Sequence, residues 1–271
     1  MRAYLSVVSA RFRTLLQYRA AASAGFGTQL FWGAVRIMIF SAFYSSSSQP
    51  APLSQDQMIN YVWLGQALLL LIPFRSDGDI IGMIRTGNIC YELIRPVRLY
   101  GYWFAREIAH RTAPVMLRAL PMLVVVAVVF PIVGWESWAL GGPVSAGAFA
   151  LFLLSLLAAV LLSCSLSLVL YTTLFWTVGA EGIQNLVPVL IWTFSGIIIP
   201  IPFYPDWMQP IFRLLPFRGL IDVPFRIYLG SIAMVDALYE IGIQLVWVAA
   251  LIALANLLLH RGLSRVVVQG G

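Results

Sequence analysis

Six long stretches of this chain, 20–44, 58–74, 114–133, 144–172, 183–200 and 235–259, are apolar almost without interruption. A helix needs about 20 apolar residues to cross the hydrocarbon core of a bilayer, and in lipid every backbone polar group must find its partner inside the protein. The runs therefore predict an all-α membrane protein with six transmembrane helices. Run 144–172 exceeds what a perpendicular crossing needs, which predicts tilt or an extension past the bilayer. Composition agrees: 61% of the 271 residues are hydrophobic and 10% are charged, with a mean hydropathy of +0.88, whereas soluble domains carry about a quarter charged residues. A water-soluble enzyme is excluded on that ground. The first run starts well inside the chain and lacks a small-residue cleavage site, so helix 1 is expected to remain in the mature protein.

The basic residues are 17 arginines and no lysine. Chemistry that requires an ammonium is thereby ruled out, including the lysine of a phosphate-binding loop, a Schiff base and a Ser/Lys dyad. The chain itself is expected to hold no Walker-type ATPase site and not to be an enzyme. Cys90 and Cys164 are far apart and form no C-x-x-C pair, so neither a disulfide framework nor a zinc site is expected. His110 and His260 each sit where an apolar run meets a basic segment, which predicts interfacial or helix-end histidines rather than metal ligands or catalytic bases. No Ser/His, paired-Asp or metal set falls at one depth, which argues against an intramembrane enzyme.

Arginines mark the cytoplasmic side of a membrane protein. Arg2, Arg11, Arg13 and Arg19 precede helix 1; Arg75, Arg85, Arg95, Arg98, Arg106, Arg111 and Arg118 lie between or at the ends of helices 2 and 3; Arg261 and Arg265 follow helix 6. Connections 45–57 and 134–143 carry none, so both termini are expected in the cytoplasm. Segment 201–234 breaks the pattern with Arg213, Arg218 and Arg226, but Asp206, Asp222 and many aromatics accompany them, which predicts a structured external cap. Leu5, Val8, Phe12, Leu15 and Leu16 fall at helical spacing with Arg11 and Arg13 off the stripe. This predicts an N-terminal amphipathic helix (1–19) along the cytoplasmic membrane surface. There is no internal repeat of the kind that marks inverted-topology transporters, and the only low-complexity tract is the short serine run 45–48. A single membrane domain is expected over 1–271, with a cytoplasmic tail at 260–271.

The connection between helices 2 and 3, residues 75–111, is far longer than a turn requires. Gly87 offers a break, and Pro96 suits a helix start, where its missing N–H has no partner to lose. From Pro96 to Glu107, the residues Val97, Tyr100, Phe104 and Ile108 form an apolar stripe, with Arg98 and Arg106 elsewhere on the surface. Such an element suits docking to a soluble partner, and equally an interfacial helix that anchors helix 3; the residues alone leave both open. The spacing of Gly87, Ile89, Leu93 and Pro96 resembles the cytoplasmic loop of the ABC-2 type (type V) exporter permeases. In that family the loop ends in a coupling helix seated in a groove of the ATP-binding subunit. Asn88 stands where Thr is usual and Cys90 where an acidic residue is commoner, with Glu92 two positions on as its substitute. The resemblance marks Gly87, Ile89, Glu92, Leu93, Arg95, Pro96, Val97, Arg98 and Tyr100 as ATPase-coupling residues.

A second segment carries the same resemblance. Gly196 and Pro200 weaken the end of helix 5, and broken backbone at membrane depth is tolerated only where protein or a cavity surrounds it. Trp207 suits a headgroup interface. Ser195, Gly196, Pro200, Pro205, Trp207, Gln209 and Pro216 are similar in type and spacing to the stretch of these permeases whose short re-entrant helices close the outer end of the path. They are expected to form an external gate.

Inside helix 1, Arg36 carries a charge that costs ~2.5–3.5 kcal/mol at the bilayer centre on insertion scales. Asp236, Glu240 and Gln244 share one face of helix 6 at a comparable depth. Two readings stand: an intramembrane ion pair of Arg36 with Asp236 or Glu240, within or between subunits, or an Arg36 that reaches the outer headgroups. Ser163, Ser165, Ser167, Thr177, Gln184 and Asn185 offer either a polar path lining or ordinary helix packing. Glu181, in the turn between helices 4 and 5, reads as an ATPase contact or a solvated carboxylate.

The resemblance implies the permease subunit of an ATP-driven exporter in a bacterial cytoplasmic membrane. A second permease, identical or homologous, would complete the path, and two copies of a separate ABC ATPase would bind ATP and Mg; this chain would hold no cofactor. No nucleic acid partner is expected. An apolar lining and an external cap point to amphiphilic cargo, such as a drug-like compound, a lipid or a lipid-linked glycan. The alternatives are a non-transporting scaffold and an ion-coupled secondary transporter, although runs 2 to 5 show no clear mid-helix carboxylate of the kind such transporters use.

Overall fold

The computed structural model describes residues 2–17, 19–46, 50–74, 76–177 and 181–265, and every regular element among them is helical. Arg75 and tail residues 266–271 lie outside the described residues, as do Ser47 and Ser48 and the side chains of Arg19, Glu181 and Gln184. The N-terminal segment forms α1 (Arg2–Leu15), followed by α2 (Arg19–Ser46) and α3 (Gln55–Ala67). Ser54 starts α3 with a capping box: its hydroxyl accepts from the Gln57 N–H while the Gln57 side chain accepts from the Ser54 N–H. Two short helices, α4 (Gly78–Thr86) and α5 (Cys90–Leu93), precede α6 (Leu99–Val124). The latter continues through a π turn, Val125–Val129, into α7 (Phe130–Ile132). After α8 (Ala146–Thr173) and α9 (Glu181–Phe194), two 3-10 turns, α10 (Gln209–Leu214) and α11 (Asp222–Tyr228) fill the segment before α12 (Met234–Leu263).

Four helices are long and apolar enough to cross a membrane: Ala22–Ser46, Leu99–Ile132, Ala146–Thr173 and Met234–Leu263. The expectation of six full-length spans is not met, because two of the runs are helical over only part of their length. Helix α3 ends after 13 residues and passes through a 3-10 turn, Leu69–Leu71, into extended backbone before Pro73. Helix α9 ends after 14 residues at the Ser195–Gly196 break. At 1.5 Å per residue each covers about 20 Å, short of a hydrocarbon core of about 30 Å. Apart from the half-buried Asn60, residues Met58 to Leu68 of the α3 region are buried. Its exposed ends therefore meet protein, which can satisfy free backbone groups where lipid cannot.

The opposite correction applies at the third run. The expected run 114–133 is only the later part of a continuous helix, which opens at Leu99 as α6, carries Pro114 and Pro121 inside it, and runs on through the π turn into α7. No separate amphipathic element runs from Pro96 to Glu107. The residues that face the protein there are Leu99, Tyr102, Trp103, Arg106 and Glu107, while the expected stripe of Val97, Tyr100, Phe104 and Ile108 is only half-buried.

The helices hold two ends of the molecule apart. At one, α1, α4, α5 and the start of α6 meet the ends of α8 and α12: the Arg98 N–H donates to the Tyr4 hydroxyl at 3.3 Å, and Arg265 lies 5.6 Å over the Trp176 ring. At the other, the end of α2 meets the start of α3, where the Tyr44 hydroxyl donates to the Leu53 carbonyl at 2.6 Å. There too the Gln57 amide reaches the Leu229 carbonyl beyond α11 at 3.2 Å.

Between the ends, α2 lies close on α3 because Gly33 has no side chain. A Cβ there would overlap the ring of Trp63, which is fully buried and donates its indole N–H to the Trp138 carbonyl at 2.7 Å. Small residues let helices approach in this way where lipid tails supply no hydrophobic drive. Gly33→Ala should therefore cost about 1–3 kcal/mol of stability by overpacking, whereas Gly27→Ala, with nothing near its Cβ, should be neutral or gain up to about 1 kcal/mol of helix propensity. Thermal unfolding of the two variants in detergent, followed by size exclusion, checks the contrast.

Candidate functional site

Asp77 is the root of the loop between α3 and α6. Its side chain caps α4 by accepting from the Asp79 N–H at 3.0 Å. The same carboxylate receives Arg106 of α6 at 2.9 Å and Arg11 of α1 at 3.2 Å. Arg106 also reaches Asp79 at 3.2 Å and Glu92 of α5 at 3.4 Å, and Arg11 reaches Asp79 at 2.9 Å. Trp103, fully buried, donates its indole N–H to the other Glu92 oxygen at 2.5 Å. Three separate segments are thus tied to the first turns of α6.

A second chain of bonds leads on into the helices. The Asp77 N–H donates to the Tyr171 hydroxyl at 2.7 Å, and that hydroxyl donates to Glu107 at 2.9 Å. Glu107 holds Arg111 at 2.7 Å, and Arg111 donates to the Ile72 carbonyl at 3.3 Å and to Ser167 of α8 at 3.0 Å. Arg11, Arg106 and Arg111 face Asp77, Asp79, Glu92 and Glu107, so buried charge is nearly balanced. Burial alone would raise the Asp77 carboxyl, but Arg106, then Arg11, outweigh it and hold the group below the ordinary carboxylate value.

The expected coupling residues divide between root and tip. Gly87 adopts φ 74°, a left-handed conformation that closes α4 and suits glycine. Ile89 is fully buried, and Glu92 is buried in the ion network, so its carboxylate faces the protein rather than the surface. Leu93, Arg95, Pro96 and Arg98 are exposed, and Val97 and Tyr100 are half-buried. Arg95 packs over the Tyr102 ring at 4.9 Å and donates to its hydroxyl at 3.0 Å. The most exposed apolar groups of this element are Tyr91, 68% exposed, and Ile94, 80% exposed, of which spacing did not single out Ile94.

At the other end, Gly196 has φ 87° and lies two residues past the end of α9. Its carbonyl accepts from Tyr61 at 3.1 Å, and the Ser195 carbonyl accepts from the Asp222 N–H at 3.2 Å. Ser195, Pro200 and Pro216 are buried, Pro205 and Trp207 are exposed, and Gln209 bonds the Tyr204 carbonyl at 3.1 Å.

The expected pairing of Arg36 with Asp236 or Glu240 is corrected within the chain. Arg36 instead donates to the carbonyls of Ile197 and Ile198 at 2.7 and 2.9 Å. Glu240 pairs with Arg218, and Asp236 is exposed. Backbone freed by the Gly196 break attracts the guanidinium, and Arg218 of the cap lies nearer Glu240. Ser163, Ser165 and Ser167 are buried and bond the carbonyls of Leu71, Leu161 and Ser163.

The ion network was missed because a hydrophobic stripe treats Arg106 as a surface residue. The available signal was the i, i+4 spacing of Glu107 and Arg111, which puts opposite charges on one helix face. Glu107 itself lies before the run 114–133, near the start of α6.

A family model described as ABC-2 family transporter protein matches residues 30–270. No curated protein and no solved structure matches the chain.

Because Asp77 is buried between two guanidiniums, Asp77→Asn should weaken docking of α1 and α4 by about 3 kcal/mol. Cys90, half-buried on α5, should then react faster with a maleimide at pH 7. A depressed folded value means that this stabilisation is complete above the unfolded carboxylate value of about 4 and is lost as pH falls below it. The melting temperature in detergent should accordingly be flat in its Asp77-dependent part from pH 8 to 5 and drop in stronger acid, with a smaller drop in the variant.

Proposed function

This chain belongs to the ABC-2 family of transporter membrane proteins, and on that premise we propose that it is the permease subunit of an ATP-driven exporter, coupled to a separate ATPase. The family places the chain among integral membrane subunits rather than ATPases, in keeping with its lack of lysine. In this reading α3 and α9 complete six passes, both termini are cytoplasmic, and the membrane is a bacterial cytoplasmic membrane. The path is shared with a second permease, identical or homologous, and two ATPase copies hold ATP and Mg.

The single observation that carries the coupling reading is the element between α3 and α6, with an exposed apolar tip and a buried ionic root. Tyr91, Leu93, Ile94, Arg95, Pro96 and Arg98 present a mixed apolar and basic surface. Behind it, Glu92, Trp103, Arg106 and Asp77 bind that surface to α6, and Glu107, Arg111, Tyr171 and Ser167 extend the tie to α8. A partner pushing on the tip cannot displace it without moving α6, because breaking any one buried pair costs several kcal/mol. Motion at the ATPase is thereby delivered to the helices as a rigid displacement. At the far end, Ser195, Gly196, Pro200, Pro205, Trp207, Gln209 and Pro216 act in this reading as the outer gate. Cargo is amphiphilic.

Purification of the tagged chain from its native membrane in mild detergent should recover an ATP-binding subunit and ATP hydrolysis, and Ile94→Asp should cut that recovery about tenfold or more with no change in the chain's own elution. Undiminished association in the variant would falsify the docking assignment. A chain that emerges alone from several mild detergents, with no ATP hydrolysis, would overturn the permease reading itself.

A further inference from the structure

A groove of about 690 Å³ lies between α2, the end of α3, α9 and the backbone after Gly196. That volume lies within the range of small-molecule sites. Its walls are apolar, with Trp32, Phe40, Leu69 and Trp192 among them, and Trp32 and Trp192 are exposed at its mouth. Its floor is polar. Gln29, only 3% exposed, lines the groove, and neither its amide nitrogen nor its amide oxygen has a hydrogen-bond partner among the described residues. Gln66, also buried, lines it from α3.

Arg36 completes the floor. It lies seven residues after Gln29, so the two share one face of α2 about 10 Å apart along the axis. One guanidinium nitrogen, Nη2, makes both bonds to the Ile197 and Ile198 carbonyls. Among the described residues no carboxylate forms an ion pair with Arg36. A guanidinium inside a membrane span without a counter-charge, on the same helix face as a buried amide without partners, is costly unless something else supplies an anion and a hydrogen bond. Apolar walls around a guanidinium fit an occupant that carries both an apolar chain and an anionic group.

We propose that this groove is a binding site for an anionic amphiphile, its carboxylate or phosphate on Arg36, its hydrogen-bonding groups toward Gln29 and Gln66, and its chain along Trp32, Phe40 and Trp192. That the occupant is transported cargo rests on the permease reading; that the site binds it does not. Arg36 gives the site a second property. The guanidinium that receives the anion is the one that pins the carbonyls after Gly196, so occupancy competes with the bonds that hold the outer segment closed.

The test uses the full chain in nanodiscs of a zwitterionic lipid, with 11-bromoundecanoate as probe and the neutral 11-bromoundecanol as control; bromine on the chain quenches tryptophan on contact. Saturable quenching by the anion is expected, weaker by about tenfold or more for the alcohol, since a charge-assisted bond of this kind is worth about that factor. The quenched amplitude should fall in Trp32→Phe/Trp192→Phe. Arg36→Gln should abolish the preference for the anion and Arg36→Lys should retain part of it. Equal affinity for anion and alcohol in the wild type, or an undiminished preference in Arg36→Gln, would overturn the proposal. So would the absence of saturable quenching, the result expected if a second copy of this chain covers the groove. Should Arg36→Gln not fold, Gln29→Leu carries the test: it must weaken the anion several-fold, and unchanged binding overturns the site. No ATPase is present in this experiment, so binding here with no ATPase recovered from membranes would sink the permease reading and leave the site intact.

Discussion

Buried charge at the junction of loop and membrane is the constraint on which the rest of this structure depends. Arg106 lies on the protein-facing side of α6, where an unpaired guanidinium is not tolerated, and Asp77, Asp79 and Glu92 each come from the loop to meet it. To deliver those carboxylates, α4 must begin at Asp77, turn at Gly87, and place α5 against Trp103. Arg11 shares the same carboxylates, so α1 is drawn onto the face of α6. The architecture of this end of the molecule is in effect the coordination of two guanidiniums.

The opposite end obeys the same rule with backbone in place of carboxylate. Ending α9 at Phe194 frees carbonyls at a depth where water is scarce. Tyr61 takes that of Gly196, the Asp222 N–H takes that of Ser195, and Arg36 takes those of Ile197 and Ile198. Each donor comes from a different helix, so α2, α3 and α11 are all held by one break in the chain. A movement of the segment after Gly196 would have to exchange these bonds for others.

Much of the fold was legible in the sequence. Apolar runs show where long helices lie, because a bilayer rewards little else, and four of the runs are such helices. The Gly87 and Gly196 breaks were legible because few residues but glycine adopt positive φ at low cost. What failed were inferences that treat a charge as a surface marker. Arg106 was placed on the polar side of a stripe and is buried; Arg36 was matched to the nearest carboxylates by depth and binds carbonyls instead. Run length also misled at α3 and α9, since hydropathy records what a segment tolerates around it and not whether its backbone stays helical.

The sequence by itself determined that this chain lives in a membrane, that its regular structure is helical, and which two segments are irregular. Those properties follow from local composition, and the cost of exposing polar backbone to lipid applies to each segment on its own. Tertiary structure alone decided which guanidinium meets which carboxylate, that Glu92 belongs to the root and Ile94 to the tip, and that Gln29, Arg36 and Gln66 line one groove. Partner choice between segments tens of residues apart depends on how the helices pack in three dimensions, and neither spacing nor hydropathy encodes that packing directly.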